Sequence, residues 1–280
     1  MPGVRATDWK KYLDERMLPH LWCPGCGNGI ALGAVARALA ELNLPPNEVV
    51  VVTGIGCWGK ADDYLATNAL HGTHGRALAF ATGVKAARPG LTVIVLMGDG
   101  DGATIGGNHL IHAARRNIDV TAVVVNNRNY GMTGGQVSAT TPLGAVTSTT
   151  RYGNPERDFD LCRLVEAAGA NYVARGTVYH VPLLDRLIRD GIVKKGFSFI
   201  EVMSPCPTHF GRRNRLGSAV EMMKDLKNRA INVNSPAAKK GGLPEGSFLI
   251  GRLSERDDPD FNTRYEAIRQ KALAKGGDRR

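Results

Sequence analysis

Four short apolar runs recur along the chain, at residues 48–53, 91–97, 120–125 and 197–202. None of them alternates strictly between apolar and polar residues, which is typical of strands buried on both faces of a sheet. Stretches with helical spacing of apolar residues lie between them, at 30–42, 76–87 and 108–116. Strands that alternate with helices in this way predict an α/β fold with a doubly wound parallel sheet.

A polar or glycine-rich loop follows each of the four predicted strands. Ligands of open α/β sheets bind beyond the carboxyl ends of the strands, so we expect these loops to converge on one edge of the sheet. In chain order the loops are Gly54-Ile55-Gly56-Cys57, Gly98-Asp99-Gly100-Asp101, Asn126-Asn127 and Met203-Ser204-Pro205-Cys206.

The composition is that of a globular protein: 280 residues, 43% hydrophobic and 22% charged, enough for one large α/β domain or two small ones. The chain has no run of the roughly 18–20 apolar residues that a membrane helix needs, and its polar start has no apolar signal-peptide region. We therefore expect a cytoplasmic protein that does not enter a membrane.

The chain has 36 basic and 26 acidic residues, a formal net charge of +10. Much of the excess lies in late basic runs such as 212–215, 239–240 and 279–280. Positive charge speeds association with nucleic acid and with acidic proteins alike, so charge alone predicts an acidic partner without identifying it.

The alternation of strands and helices weakens after about residue 210. A helical stretch at 218–230 is followed by a Pro/Gly/Lys segment at 235–246, and 272–280 is predicted to be a loose tail. We therefore divide the chain into a ligand-binding domain, residues 1–210, and a C-terminal extension, residues 211–280, that covers a site or a partner.

Asp99 and Asn127 follow two predicted strands and are 28 positions apart. A carboxylate and an amide oxygen from neighbouring parallel strands are hard ligands of the kind that Mg²⁺ takes while it also holds phosphate oxygens. The glycines Gly98, Gly100 and Gly102 would let the backbone approach a diphosphate closely. The alternative is that both are ordinary turns.

The odd number of cysteines, five, argues against a secreted disulfide scaffold. Cys23-Pro24-Gly25-Cys26 is a CxxC pair, and with Cys57 and Cys206 it provides four soft ligands. Their spacing alone does not separate a zinc site from an iron–sulfur cluster. Cys162 lies on a predicted core-facing helix stripe and is expected to be a buried, inert thiol.

The segment from Gly98-Asp99-Gly100 to Asn126-Asn127 resembles the thiamine diphosphate motif, in which GDG and NN lie a little under 30 residues apart. Together with further motifs, it resembles the β subunits of 2-oxoacid:ferredoxin oxidoreductases over about residues 18–210. Those motifs are HLWCPGCG from His20, GIGCWGK from Gly54, HGTHGR from His71 and NYGMTGGQ from Asn129.

The resemblance implies the ligands of three cofactors. Thiamine diphosphate would be held with Mg²⁺ by Asp99, Asn127 and the main-chain carbonyl of Asn129. A 4Fe-4S cluster would be held by Cys23, Cys26, Cys57 and Cys206. Other residues implied to border the cofactor or substrate are Ile55, Gly56, Cys57, Gly98, Gly100, Asp101, Met132 and Thr133.

The resemblance also suggests that Lys60, His74 and Arg76 lie near the diphosphate or the reacting centre as catalytic residues. Two of these have a plainer alternative: Lys60 could be a solvated loop charge and His74 a loop histidine with its hydrogen bonds satisfied. A competing pattern, Gly54-x-Gly56-x-x-Gly59, matches the dinucleotide-binding GxGxxG. It lacks the acidic residue expected about 20 positions later.

The function implied is the oxidative decarboxylation of 2-oxoglutarate with CoA to succinyl-CoA and CO₂, or the reverse carboxylation, with electrons passing to ferredoxin. The form of the CPGC loop favours 2-oxoglutarate, and pyruvate is the alternative substrate. The family also implies a separate α subunit, which supplies a glutamate to the cofactor, in an α2β2 heterotetramer. Two other classes remain open: a nonredox thiamine diphosphate decarboxylase, and a zinc-stabilised module that binds nucleic acid.

Overall fold

The computed structural model describes residues 8–239 and 242–276. Within those residues eight strands form one sheet in the order β2-β1-β3-β4-β6-β5-β8-β7. The first six strands in this order are parallel to one another, β8 runs antiparallel to β5, and β7 is parallel to β8. The strands are β1 (Val49–Thr53), β2 (Asn68–His71), β3 (Thr92–Gly98), β4 (Thr121–Asn126), β5 (Tyr172–Thr177), β6 (Ser198–Met203), β7 (Ala230–Asn232) and β8 (Phe248–Glu255).

Helices cover both faces of the sheet. One apolar cluster joins α1 and α5 to one face, and a second joins α2, α3 and α4 to the other. Neighbouring strand residues divide between the faces: Leu96 belongs to the first cluster and Met97 to the second. The helices are α1 (Asn28–Glu41), α2 (Ala77–Ala87), α3 (Gly107–Arg116), α4 (Leu161–Ala168), α5 (Val181–Val193), α6 (Ala219–Arg229), α7 (Pro236–Lys239) and α8 (Phe261–Gly276). The predicted doubly wound α/β fold is therefore confirmed.

The four predicted strands correspond to β1, β3, β4 and β6, and the predicted helices at 30–42, 76–87, 108–116 and 218–230 correspond to α1, α2, α3 and α6. The start of α6 has a strong local signal, because Ser218 and Glu221 form a capping box. Cys162 is buried in α4, as predicted.

The predicted loose tail is wrong over 272–276, because α8 continues to Gly276; residues 277–280 lie outside the described part of the chain. Lys240, Arg279 and Arg280, which belong to the late basic runs, also lie outside it. The segment beyond residue 210 adds β7 and β8 to the sheet, and the boundary at 210 stays a prediction. No helix in the described ranges is long and apolar enough to cross a membrane.

Candidate active site

The four strands that end in polar or glycine-rich loops are immediate neighbours in the sheet, in the order β1-β3-β4-β6. They run in the same direction, so their carboxyl ends lie at one edge. The register aligns the ends closely: Gly98 is opposite Val125, and Asn126 is opposite Met203. The predicted convergence of the loops is confirmed.

Asp99 lies at the end of β3 with its carboxylate almost fully buried. Its Oδ2 accepts hydrogen bonds from Ser138 Oγ and Thr140 Oγ1, both at 2.6 Å, and its Oδ1 accepts one from the Asn127 main-chain N–H at 3.3 Å. Burial raises the pKa of Asp99, and these hydrogen bonds act in the opposite direction. Oδ2 thus accepts two hydrogen bonds, whereas Oδ1 faces Asn127.

The side-chain amide of Asn127 places one terminal atom 2.7 Å from the main-chain oxygen of Asn129 and 3.2 Å from Asp99 Oδ1. If that atom is nitrogen, it donates a hydrogen bond to both oxygens. If it is oxygen, three oxygens converge, and a cation is needed to hold them together. Ligands that are neighbours around octahedral Mg²⁺ lie about 3 Å apart, given bonds of about 2.1 Å. With the oxygen orientation, both separations are compatible with ligands that share one magnesium ion.

Two glycines border open space beside this oxygen cluster. A Cβ at Gly56 or at Gly98 would meet no atom within 4 Å, so the backbone at both positions can be approached by a ligand. Gly56 also has a φ of 115°, which strongly favours glycine. The backbone at these two positions would therefore leave room for a phosphate group beside the predicted metal ligands.

Asp101, in the loop after β3, connects to the loop after β1 and to the segment between β2 and α2. Its Oδ1 accepts hydrogen bonds from the N–H of Gly75 at 2.7 Å and of Ile55 at 3.3 Å, and it also pairs with His74 Nδ1. Its Oδ2 is buried and has no hydrogen-bond partner. A Cβ at Gly54 would lie 2.1 Å from that oxygen, so a residue with a side chain does not fit there. Asp101 therefore fixes the position of His74 at the edge of the site.

Most of the predicted cofactor residues line one cavity. The predicted residues in it are Ile55, Gly56, Cys57, His74, Gly98, Asp99, Gly100, Asp101, Asn127, Asn129, Met132 and Thr133. Lys60 and Arg76 do not line it: Lys60 pairs with Asp63 at 3.1 Å, and Arg76 is exposed at the start of α2. The catalytic roles of Lys60, His74 and Arg76 stay predictions.

The predicted cluster ligands Cys23, Cys26, Cys57 and Cys206 line a second cavity, of about 200 Å³. All four are free thiols. A Cβ at Gly131 would lie 3.5 Å from the sulfur of Cys57 and 3.9 Å from that of Cys206. These two sulfurs therefore both lie close to Gly131. Burial, with the other thiols nearby, raises the pKa of Cys26 to about 11 and that of Cys57 to about 12.

The four thiols do not form a compact site for one ion. Across residues 8–239 and 242–276, no group of three or more His, Cys, Asp or Glu residues is placed to hold a single metal ion. A tetrahedral zinc site needs its sulfurs about 2.3 Å from one metal, whereas a polynuclear cluster binds each thiolate through a different iron. The described residues therefore give no support to a site for one ion, and zinc and an iron–sulfur cluster are separated by metal analysis.

The cofactor cavity and the cysteine cavity are adjacent. Both are lined by Cys57, Asn127, Gly131 and Met132. The loop that carries Cys23 and Cys26 is tied to the Cys57 turn by Trp22, whose Nε1 donates a 2.5 Å hydrogen bond to the Cys57 carbonyl.

Sequence reasoning missed several residues that support the site. Ser138 and Thr140 hold Asp99, Trp22 holds the cysteine loop, and Gly131 lies against two of the thiols. Trp22 and Gly131 carried a signal, because they lie within the motifs that begin at His20 and Asn129. Ser138 and Thr140 lie in a segment without apolar periodicity.

The comparisons with known proteins agree with this geometry. Residues 55–202 match the family described as thiamine pyrophosphate enzyme, C-terminal TPP binding domain. The 2-oxoglutarate synthase subunit KorB of Methanocaldococcus jannaschii is 48% identical over 251 residues, 90% of this chain and 93% of the relative. That of Methanothermobacter marburgensis is 46% identical over 271 residues, 96% of this chain and 95% of the relative.

A solved structure is similar over almost the whole chain. It is the 2-oxoglutarate:ferredoxin oxidoreductase from Magnetococcus marinus with 2-oxoglutarate, coenzyme A and succinyl-CoA bound. The match has a TM-score of 0.85 and 30% identity, and it covers 97% of this chain and 92% of the other.

The fold and the strand-end site define a thiamine diphosphate-binding domain of the enzyme class that uses this cofactor. Within that class, the chain belongs to the family of the 2-oxoglutarate synthase subunit KorB, whose members are oxidoreductase subunits. The family predicted from the motifs is confirmed.

Proposed function

We propose that this chain is the β subunit of a 2-oxoglutarate:ferredoxin oxidoreductase and that it holds thiamine diphosphate, Mg²⁺ and a 4Fe-4S cluster. The observation that carries the proposal is the shared wall between the two cavities, where Cys57 borders both. An oxidative decarboxylation needs a cofactor that cleaves the carbon–carbon bond and an electron acceptor close to it. The two adjacent cavities would hold these two groups.

Thiamine diphosphate, when bound, supplies the carbanion that attacks the 2-oxo carbon and stores the electrons that remain when CO₂ leaves. The chain's contribution is to hold and orient it. Asp99, Asn127 and the Asn129 carbonyl would bind Mg²⁺, which would supply positive charge beside the cofactor's diphosphate. Gly56 and Gly98 leave room for the diphosphate against the backbone.

The overall reaction converts 2-oxoglutarate and CoA to succinyl-CoA and CO₂, and it releases two electrons and one proton. Two oxidised ferredoxins accept one electron each. The thiolates of Cys23, Cys26, Cys57 and Cys206 would hold a 4Fe-4S cluster, which would supply one-electron transfer chemistry. The direction of flux follows from the potentials of the electron donor and acceptor, and the same residues serve the reverse carboxylation.

The substrate preference rests on the relatives. Those that are 46–50% identical over most of the chain are 2-oxoglutarate synthase subunits, which supports 2-oxoglutarate over pyruvate. Because the relatives are described as subunits, we propose that a separate α subunit completes the cofactor site in an α2β2 assembly. The name of the similar solved enzyme supports ferredoxin as the electron acceptor.

The decisive experiment is to purify the αβ complex, separate its subunits and measure iron, acid-labile sulfide and zinc in each. We expect about four iron and four sulfide per β chain. Iron found only in another subunit would place the cluster elsewhere, and stoichiometric zinc in β would contradict the redox role. Dye reduction with a panel of 2-oxoacids should be greatest with 2-oxoglutarate; greater turnover of pyruvate would overturn the substrate assignment.

A further inference from the structure

Glu201 is an acidic residue in the middle of the sheet. It lies in β6, between β4 and β5, and is only 2% exposed. The register places it opposite Val124 of β4 and Arg175 of β5. A buried ion pair is weak evidence for stability, because the cost of removing two charges from water can exceed the gain from their attraction. Stability alone therefore does not account for a carboxylate at this position.

Both oxygens of the Glu201 carboxylate accept hydrogen bonds from defined donors. Oε2 accepts one from Arg175 Nε at 2.6 Å and one from Cys162 Sγ at 3.4 Å. Oε1 accepts one from Asn126 Nδ2 at 2.7 Å. Arg175 is held in turn by Asp160, the N-terminal cap of α4, at 2.7 Å. The carboxylate therefore connects the guanidinium on β5 to the last residue of β4.

The carboxylate also determines which way the side-chain amide of Asn126 points. An ionised carboxylate only accepts hydrogen bonds, so the amide nitrogen of Asn126 has to face Glu201. The amide oxygen is then directed toward the chain that follows β4. It accepts a 3.1 Å hydrogen bond from the main-chain N–H of Arg128. One oriented amide thus links Glu201 to the backbone of the next loop.

The backbone of Arg128 lies between two of the predicted metal ligands, Asn127 and Asn129. Its φ is 65°, a left-handed conformation that is uncommon for a residue with a side chain. The conformation is held at the N–H by Asn126 and at the carbonyl by a 2.7 Å hydrogen bond from Thr141 Oγ1. The directions of the Asn127 side chain and the Asn129 carbonyl follow from this turn.

We propose that Glu201 is a positioning residue for the metal site, and that it acts through Asn126 on the turn that presents Asn127 and the Asn129 carbonyl to Mg²⁺. The proposal rests on the proposed function, which makes Mg²⁺ and thiamine diphosphate the ligands of this site. Hydrogen-bond partners that orient metal ligands change metal affinity about 10- to 100-fold when they are removed.

Glu201→Gln tests the proposal because glutamine has one accepting end and one donating end. The Arg175 guanidinium stays protonated, so it keeps the oxygen of the glutamine. The donating end then faces Asn126, and the Asn126 amide has to turn its oxygen toward it. The nitrogen of that amide would then face the N–H of Arg128, and the turn would lose its hydrogen bond.

The double variant Glu201→Gln with Asn126→Asp restores the pattern. The new carboxylate accepts from the glutamine and from the N–H of Arg128, while the glutamine oxygen still accepts from Arg175. The total charge is that of the wild type. The matched control is Asp119→Asn, which breaks a buried ion pair with Lys85, 2.8 Å long, at the opposite end of β4.

Each αβ complex is titrated calorimetrically with thiamine diphosphate at several fixed Mg²⁺ concentrations, and its thermal unfolding is measured. At limiting Mg²⁺, Glu201→Gln should bind the cofactor at least about 10-fold more weakly than the wild type, and the difference should shrink as Mg²⁺ is raised. The double variant should bind at close to the wild-type affinity. Asp119→Asn should lower the melting temperature and leave the affinity unchanged.

Wild-type affinity in Glu201→Gln would overturn the inference, and so would a folded double variant that binds no better than the single one. If the single variant does not fold, the double variant carries the test, because recovery of both folding and affinity is expected of it; its failure to fold would also count against the proposal. An equal loss of affinity in Asp119→Asn would show a general effect of destabilisation. Failure of the proposed function is separately visible, because the wild-type complex itself would then show no Mg²⁺-dependent binding of thiamine diphosphate.

Discussion

Ser138 donates a 2.6 Å hydrogen bond to Oδ2 of Asp99, 39 positions away in the chain. With Thr140 it engages one oxygen of the carboxylate and leaves the other directed at Asn127. A loop without secondary structure thus orients the carboxylate that is proposed to bind Mg²⁺.

The first prediction concerns that carboxylate. Asp99→Ala should weaken Mg²⁺-dependent binding of thiamine diphosphate by more than about 100-fold, because it removes the negatively charged ligand. Ser138→Ala should weaken it by about 10-fold, the lower range for residues that orient metal ligands. Calorimetric titration of the αβ complex measures both, and the cluster absorbance should be unchanged in each. Unchanged cofactor affinity in the Asp99 variant would exclude Asp99 from the site.

The second prediction compares alanine substitutions at two glycines, one expected to weaken cofactor binding and the other to lower folding stability. Gly98→Ala introduces a Cβ that meets no atom within 4 Å, so the melting temperature should barely change while thiamine diphosphate binds at least about 10-fold more weakly. Gly100→Ala would place a Cβ 2.5 Å from the Tyr130 ring, and overpacking of this kind costs about 1–3 kcal/mol of unfolding free energy. Thermal unfolding and calorimetry distinguish the two effects. Normal cofactor affinity in a folded Gly98→Ala variant would show that the diphosphate does not approach that backbone.

The cysteines give a third prediction with a built-in control. Cys57→Ala and Cys206→Ala should lose or degrade the 4Fe-4S cluster, because each removes one of four thiolates. Cys162→Ala should keep wild-type iron, since Cys162 is buried in α4 and lines neither cavity. Iron and sulfide analysis with electron paramagnetic resonance of the reduced protein provides the measurement. A cluster that needs Cys162 and tolerates loss of Cys206 would contradict the ligand assignment.

Much of the fold could be predicted because β1, β3, β4 and β6 are continuous apolar runs, as strands in the centre of a parallel sheet must be. The strand β5 was not predicted from the sequence because it contains Arg175. That charge interrupts the apolar pattern, although the structure compensates it with the buried Glu201. The strand β2 is short and mostly exposed, so it has no strong signal.

The site was predictable where backbone and ligand chemistry fix the residue type, as with Asp99, Asn127 and the cysteines. It was less predictable where only a side chain's direction matters. Lys60 lies close in sequence to Cys57, but it is on a helical turn that directs it to Asp63. Sequence proximity to a motif therefore did not establish that this residue lines the cavity.

The fourth prediction concerns the α subunit. The β subunit alone should not turn over any 2-oxoacid, because the group that activates the cofactor is proposed to lie on α. Mixing purified α and β should restore CoA-dependent dye reduction, and gel filtration should show an α2β2 species. Turnover by purified β at the rate of the complex would refute the division of the site between two chains.

The last prediction concerns the electron acceptor. Arg213 donates a 3.3 Å hydrogen bond to the carbonyl of Gly134, in the loop beside the cysteine cavity, and Arg212 and Arg215 are exposed next to it. This basic surface lies a few residues beyond Cys206, so an acidic ferredoxin attracted to it would come near the proposed cluster. Steering by charge raises the rate of encounter and is screened by salt, with a Debye length of about 10 Å at 0.1 M.

The second-order rate of ferredoxin reduction should therefore fall as ionic strength rises. At low salt, the double variant Arg212→Glu with Arg215→Glu should reduce ferredoxin at least about 10-fold more slowly than the wild type. A factor of about 10 is the lower end of the rate enhancement that electrostatic steering provides. Reduction of the enzyme's own cluster by 2-oxoglutarate and CoA should change little in both experiments, and Arg186→Glu on α5 should behave as the wild type. Stopped-flow absorbance follows both steps.

A ferredoxin rate that is flat with salt and unaffected by the double variant would exclude this surface as the docking site. Dissociation of α from β in that variant would instead show that these arginines contact the α subunit.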